Sequence, residues 1–173
     1  MSFLDYLRLS SSINWRQTQF VHNTIIQEQG KLNYSDSLTS GTGAGQVNRI
    51  FFDAGNLETG QNSQFDLFNL QRQVLDETLT LNFSGTKVKL FVIENTSTGV
   101  GQDLFVCGTG NGGLTNIFGY SYLGWIIKPR AYSIFYDRNV GYDVNSEERY
   151  FYLYDISGRA PSYEIGIFGV KFE

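Results

Sequence analysis

One histidine, His22, and one cysteine, Cys107, are the only residues of their kinds in this 173-residue chain. A structural zinc site takes about four nitrogen or sulfur ligands, so these two cannot build one. No disulfide can close within the chain. A histidine-based dyad or triad would have to use His22, and the residues three and four positions away offer no His, Cys or acid. His22 therefore reads as an ordinary polar residue, and Cys107, ending an apolar run, as a small buried hydrophobe. Glu147 and Glu148 are adjacent and face opposite ways on a strand, which rules out a local acid–base pair. Asp53, Asp66, Asp137, Asp143 and Asp155 fall at strand ends, where aspartate caps turns. Asp137-Arg138-Asn139 has too few oxygens for a calcium loop.

Gly108-Thr109-Gly110-Asn111-Gly112-Gly113 matches G-x-G-x-x-G and follows a strand-like run. A dinucleotide site also needs a helix opening at the third glycine, so that its N-terminus meets the pyrophosphate. Leu114 to Tyr120 is broken by Gly119 and is not an amphipathic helix, so a glycine-rich connection between strands is expected. Asn33-Tyr34-Ser35, Asn82-Phe83-Ser84 and Asn95-Thr96-Ser97 match the glycosylation acceptor. Without a secretory leader they read as coincidences of an Asn/Ser/Thr-rich chain. The aromatic residues are the remaining chemistry. Tyr120, Tyr122 and Trp125 cluster, and Tyr150, Tyr152 and Tyr154 form a stripe. Such groups stack on sugar rings or fill a subunit contact; tyrosine enrichment at interfaces favours the contact.

The elements that hold these residues are strands. Leu79, Leu81 and Phe83 alternate with Thr80 and Asn82. Lys87 to Asn95 starts alternating and ends apolar on both faces, as a central strand covered on both sides does. Tyr132, Ile134 and Tyr136 share a face. Phe151 and Leu153 oppose the tyrosine stripe, and Tyr163, Ile165 and Ile167 oppose Phe168, Val170 and Phe172. About eight strands with turn signals between them predict an all-β antiparallel sandwich or jelly roll over residues 46–173. Residues 1–45, rich in Ser, Gln, Thr, Asn and Gly, read as an extended N-terminal arm with too few apolar residues for a core of its own. Phe3, Leu4 and Leu7 predict a helical turn or two over Met1–Leu9; Trp15 to Ile26 fits neither helix nor strand period.

Mass and charge bound the partners. At 19.6 kDa a compact chain buries about 70% of its unfolded surface, enough for one core. A net charge of −4 argues against a phosphate-neutralising surface, hence no nucleic acid is expected. Asp5 and Arg8 interrupt any leader-like apolar run, and no stretch approaches about 18 uncharged apolar residues, so no membrane span is expected.

From residue 64 to 169 the order of features resembles a group of tailed-phage virion structural proteins built as small β-sandwiches. The matching pieces are Gln64-Phe65-Asp66-Leu67-Phe68-Asn69-Leu70, Leu79 to Ser84 running into Val88 to Ser97, and Leu104 to Gly108. Ile127-Lys128-Pro129-Arg130, Val140 to Val144 and Ser162 to Gly169 complete them. Arg130-Ala131 departs from the glycine pair usual after the Lys-Pro turn. The resemblance implies no enzyme activity, no cofactor and a place in the virion. The expected role is capsid decoration (cement) on the particle exterior, with a tail, neck or carbohydrate-binding receptor module as the alternative. The expected partners are copies of the chain itself, as a trimer, and the major capsid protein or other virion proteins, with a glycan as the lesser possibility. An arm that exchanges between subunits gains contact area at low structural cost. The candidate contact residues are Phe3, Leu4, Tyr6, Leu7, Trp15, Phe20 and Ile25 on the arm, and Tyr120, Tyr122, Trp125, Tyr150, Tyr152 and Tyr154 on the sandwich.

Overall fold

Leu7 and Leu9 stand two apart, as do Ile13 and Trp15, the spacing that places alternate residues of a strand on one face. In the computed structural model the chain from Tyr6 to Val21 is strand β1 and returns as β2 (Thr24–Ser40). The structure describes residues 6–21, 24–74, 77–108, 112–118 and 124–172. Phe3, Leu4, His22, Tyr120 and Tyr122 lie outside the described residues. β1 and β2 pair without interruption from Tyr6↔Thr39 to Val21↔Thr24. The helical turn expected over Met1–Leu9 is thus corrected from Tyr6 onward: the backbone groups of these residues are committed to a partner strand. In this register Leu7 and Leu9 share one face of the ribbon with Asp36 and Leu38, and Arg8 and Ser10 share the other with Ser35 and Ser37.

The chain then runs through β3 (Gln46–Val47), β4 (Arg49–Asn56), β5 (Asn62–Asp66), β6 (Leu70–Val74), β7 (Glu77–Leu81) and β8 (Thr86–Asn95). After these come β9 (Leu104–Cys107), β10 (Gly112–Gly113), a single helical turn α1 (Thr115–Phe118) and β11 (Gly124–Ile127). The last elements are β12 (Tyr132–Tyr136), β13 (Tyr142–Val144), β14 (Glu148–Asp155) and β15 (Ser162–Lys171). The fold is an all-β sandwich. One sheet is ordered β12-β8-β15-β4, with β13 also on β8. The other joins β5, β14, β9 and β11, with β10 parallel to β14. Counting in chain order only β4, β5, β8, β9, β11, β12, β14 and β15, one sheet takes the first, eighth, third and sixth of these strands and the other the second, seventh, fourth and fifth. That interleaving is the double Greek key of a jelly roll.

Between the sheets lies the main core. Phe51, Phe91, Ile93, Ile165 and Ile167 face Leu104, Val106, Ile127, Phe151 and Leu153. Phe151 stacks on Phe65 at 4.6 Å and meets Phe91 edge-on at 5.1 Å. A second, smaller cluster lies on the outer face of the β12-β8-β15-β4 sheet. There Leu38 of the ribbon joins Val47, Leu90 and Phe168, with Leu7 and Leu9 packed against them. The expected two-sided burial of the central strand is seen in β8: Phe91 faces the main core and Leu90 the second cluster. The expected alternation at Leu79, Leu81 and Phe83 is not one strand face. β7 ends at Leu81 in a two-stranded hairpin with β6, where Leu79 is exposed and only Phe83, beyond the strand, is buried.

β8 bulges at Lys89, where Phe168 pairs with Leu90 but Gly169 pairs with Val88. The extra residue is buried, and its ammonium donates a 2.7 Å hydrogen bond to the Asn139 carbonyl. Burial holds the Lys89 pKa below its ordinary value. The loop that covers it needs Gly141, with φ +77°; a Cβ there would sit 2.8 Å from the Val88 carbonyl oxygen. The accessible surface is 10751 Å², against roughly 8,600 Å² for a compact chain of this mass. An extended ribbon carries such an excess.

Candidate functional site

Large apolar side chains are left exposed on the outer face of the β12-β8-β15-β4 sheet. Phe52 on β4 is 47% exposed, Ile134 on β12 38% and Tyr132 61%. With Val92 they line a groove of about 850 Å³, bounded on one side by Leu7 to Ser10 of the ribbon. Gly166 on β15 forms part of its lining; a Cβ there would come within 3.1 Å of the Phe52 and Phe168 rings, which meet edge-on at 5.2 Å. The groove is a continuation of the second cluster. The ribbon base covers one part of the sheet face and leaves the rest open.

Charges of both signs line it: Asp53, Glu94 and Glu164 with Arg8 and Arg72. Glu94 and Glu164 are register partners on neighbouring strands, and both line the groove. Carboxylates directly opposite each other on a sheet repel. Neither takes part in an ion pair among the described residues; the pairs there are Lys87–Asp143, Lys128–Asp103, Arg138–Asp36 and Arg149–Asp66. Arg8 and Arg72 also line the groove.

The ribbon is locked to the sheet by polar contacts as well as by leucines. The Tyr136 hydroxyl donates 2.7 Å to Asp36 Oδ2, and Arg138 Nη1 donates 2.9 Å to Asp36 Oδ1. Tyr34 meets Tyr136 edge-on at 6.3 Å. The Tyr136 hydroxyl, then the Ser37 amide and Arg138, hold the Asp36 carboxyl below its ordinary value. Burial, followed by Asp36 itself, pushes the Tyr136 phenol well above the usual range. Parallel pairing of β3 with Thr39 and Ser40 completes the attachment.

Glu148, Asp155 and Asp66 are occupied in building the scaffold. Glu148 accepts from the Thr115 amide (2.6 Å), the Thr115 hydroxyl (2.6 Å) and the Asn116 amide (3.3 Å), so it caps α1. The glycine run is followed by this single four-residue helical turn. Its free amides are filled by a carboxylate of the same chain. Asp155 accepts from the amides of Gly60, Ser157 and Ala160 and from the Ser157 hydroxyl. Asp66 binds Arg149 through two bonds, one of them Nε to Oδ1 at 2.9 Å, and the guanidinium lies over Phe68 and Tyr150 at 4.4 and 4.5 Å. Among the described residues no group of three or more His, Cys, Asp or Glu is placed to hold a metal ion, and no helix is long and apolar enough to cross a membrane.

The structure separates the residues singled out in sequence. Leu7 packs in the second cluster, and Cys107 is buried. Tyr6 pairs with Thr39, Trp15 with Gly30 and Phe20 with Ile25 along the ribbon. Tyr150, Tyr152 and Tyr154 are half-buried on the outer face of the other sheet, where Tyr152 and Tyr154 stack on each other at 6.0 Å. Trp125 pairs with Val106, a core residue, and so lies on the opposite face from the stripe; its ring meets Phe135 edge-on at 5.8 Å. Trp125 and the tyrosine stripe thus do not form one platform. Sequence reading missed Phe52, Glu94, Glu164 and the Asp36–Tyr136–Arg138 lock. The shared face of Tyr132, Ile134 and Tyr136 was the signal available for the groove.

No family model, curated protein or solved structure matches the chain.

Proposed function

We propose that this chain is a non-enzymatic structural protein of a tailed-phage particle, acting on the capsid exterior by adhesion through its N-terminal ribbon and by association with copies of itself. The observation that carries the reading is the ribbon. Sixteen consecutive residue pairs make a two-stranded ladder about 50 Å long, and an isolated ladder of this kind is marginal in water. Its leucine-bearing base is clamped to the sandwich, and the paired strands run on past the clamp to Val21 and Thr24. A ribbon built this way serves attachment. The jelly-roll order agrees with the reading, since capsid and lectin domains use it, although a fold alone does not assign a function.

The test is co-sedimentation with particles of the phage that encodes the chain. One variant keeps the base, Tyr6–Ser12 and Asn33–Ser40, and joins them with Asn-Gly in place of residues 13–32. The full chain pellets with particles, and the shortened one stays in the supernatant with an unchanged far-ultraviolet β spectrum. Equal pelleting of the two overturns the adhesion role of the ribbon.

A further inference from the structure

Strand register lays the outer face of the β12-β8-β15-β4 sheet out in rows. Tyr136, Leu90, Phe168 and Ile50 form the row packed with the leucines of the ribbon base. Ile134, Val92, Gly166 and Phe52 form the next row, the apolar floor of the groove, and the glycine in its middle makes the depression. Tyr132, Glu94, Glu164 and Ala54 form the row beyond. Two exposed rings, Tyr132 on β12 and Phe52 on β4, thus stand at opposite ends of one trough, with two carboxylates along its side. Arg8 of the ribbon, with Gln71 and Arg72 of the β6-β7 hairpin, supplies hydrogen-bond donors around it. Among the described residues none of Glu94, Glu164, Arg8, Gln71 and Arg72 spends its side chain on an ion pair or a hydrogen bond.

We infer that this groove binds a neutral oligosaccharide. The inference goes beyond the adhesive role of the ribbon and does not rest on it. What the trough offers separates the classes of ligand. Its three carboxylates, Asp53, Glu94 and Glu164, outnumber its two guanidiniums, Arg8 and Arg72, so a phosphate-rich or acidic ligand meets a surface of its own sign. An extended peptide is held on a sheet through main-chain bonds to a free edge. The floor lies mainly on β8 and β15, which are paired on both sides and have no edge to give. A lipid tail suits the apolar floor but leaves the charged rim desolvated without partners. A neutral sugar satisfies every part. The C–H faces of its rings lie on Tyr132, Phe52 and the aliphatic floor. Its hydroxyls donate to carboxylates and accept from guanidinium and amide groups, so acids and arginines in one groove serve the same ligand. Hydroxyls donated to Glu94 and Glu164 also offset the repulsion between these two register partners. A volume of about 850 Å³ is that of sites for drug-sized ligands, so the groove seats more than one sugar ring.

Binding of the purified full chain to an array of oligosaccharides tests the inference. The array carries neutral chains of glucose, galactose, mannose and N-acetylglucosamine units, beside sialylated and uronic-acid chains. The full chain binds neutral members, and calorimetry with the strongest of them gives a dissociation constant that added salt leaves unchanged. Tyr132→Ala removes a stacking ring and Glu164→Gln an acceptor; each raises that constant about tenfold or more. Both side chains are exposed, so the fold tolerates either change. Trp125→Ala, and Gln64→Ala beside Tyr152 of the tyrosine stripe, leave the constant as it is. A chain that binds no neutral oligosaccharide overturns the inference, as does binding confined to acidic ones. So does binding that survives both Tyr132→Ala and Glu164→Gln, or that is lost in Trp125→Ala or Gln64→Ala, which places the sugar elsewhere on the sandwich. Co-sedimentation with particles is read without any added sugar, so the adhesion reading stands or falls separately.

Discussion

Asp36 on the ribbon accepts hydrogen bonds from both Tyr136 and Arg138, so one carboxylate fastens the base of β2 to the end of β12 and the loop after it. The clamp sits beside the leucines of the second cluster, and together they fix the direction in which the ribbon leaves the sandwich.

Tyr136→Phe removes the hydroxyl and leaves the ring in place. Amides at the ribbon base, from Leu7 to Leu9 and Ser35 to Leu38, are expected to exchange with solvent severalfold faster. Amides of β8 and β15 are expected to keep their rates. Hydrogen exchange followed by mass spectrometry reads both.

Acid loosens the same clamp. The folded-state pKa of Asp36 lies below the ordinary 3.8, so the unfolded chain binds this proton more tightly. The contribution of the clamp is complete above that value and is lost as the pH falls through the lower folded one. Protection factors of amides at the ribbon base, corrected for the intrinsic pH dependence of exchange, therefore fall below pH 3.8 in the native protein, and Asp36→Asn shows no such fall.

Asp155 is the acid-sensitive point of the sandwich itself. Burial raises its carboxyl, but hydrogen bonds from Gly60, Ser157 and Ala160 outweigh burial and hold it far below the ordinary range. Asp155→Asn turns an acceptor for two amides into a donor facing them and costs about 2 kcal/mol at neutral pH. The sign of the linkage is as for Asp36. Native stability falls as the pH drops below 3.8, and the variant shows a shallower fall. Urea unfolding at several pH values measures both slopes.

Arg130 holds φ at +62° after Pro129, in a turn closed by the Ala131 amide on the Lys128 carbonyl at 3.0 Å. A left-handed non-glycine residue costs about 1–2 kcal/mol, and glycine loses about 0.5–1 kcal/mol more backbone entropy on folding. Arg130→Gly is expected to stabilise the fold by about 0.5–1 kcal/mol, seen as a higher urea midpoint with an unchanged slope.

Phe151 is fully buried and touches Phe65, Phe91 and Phe118. Phe151→Ala lowers stability by about 3–5 kcal/mol, through lost burial and the cavity left behind. The urea midpoint drops accordingly.

Period-2 alternation was enough to read the sandwich. Phe151 and Leu153 face inward, the tyrosines between them outward, and β8 is covered on both faces, all from local spacing. The ribbon was not readable in the same way. Its two strands meet after Val21, and a window from Trp15 to Ile26 mixes residues from both, so Phe20, Val21, Ile25 and Ile26 show no single period. Only the pairing of Phe20 with Ile25 and Val21 with Thr24 assigns them to two strands. The groove was hidden for a related reason. Phe52, Glu94, Ile134 and Glu164 lie on four strands whose adjacency follows from the Greek-key order, which no local pattern encodes. The α1 cap was equally remote, since Glu148 reaches Thr115 across 33 residues.

Hydrogen exchange across residues 13–33, with the protein free and bound to particles, bears most directly on attachment through the ribbon. Strong protection of these amides on binding, with the β5-β14-β9-β11 sheet unchanged, is the predicted result. Protection confined to the tyrosine face of that sheet, or no protection in the ribbon, contradicts it.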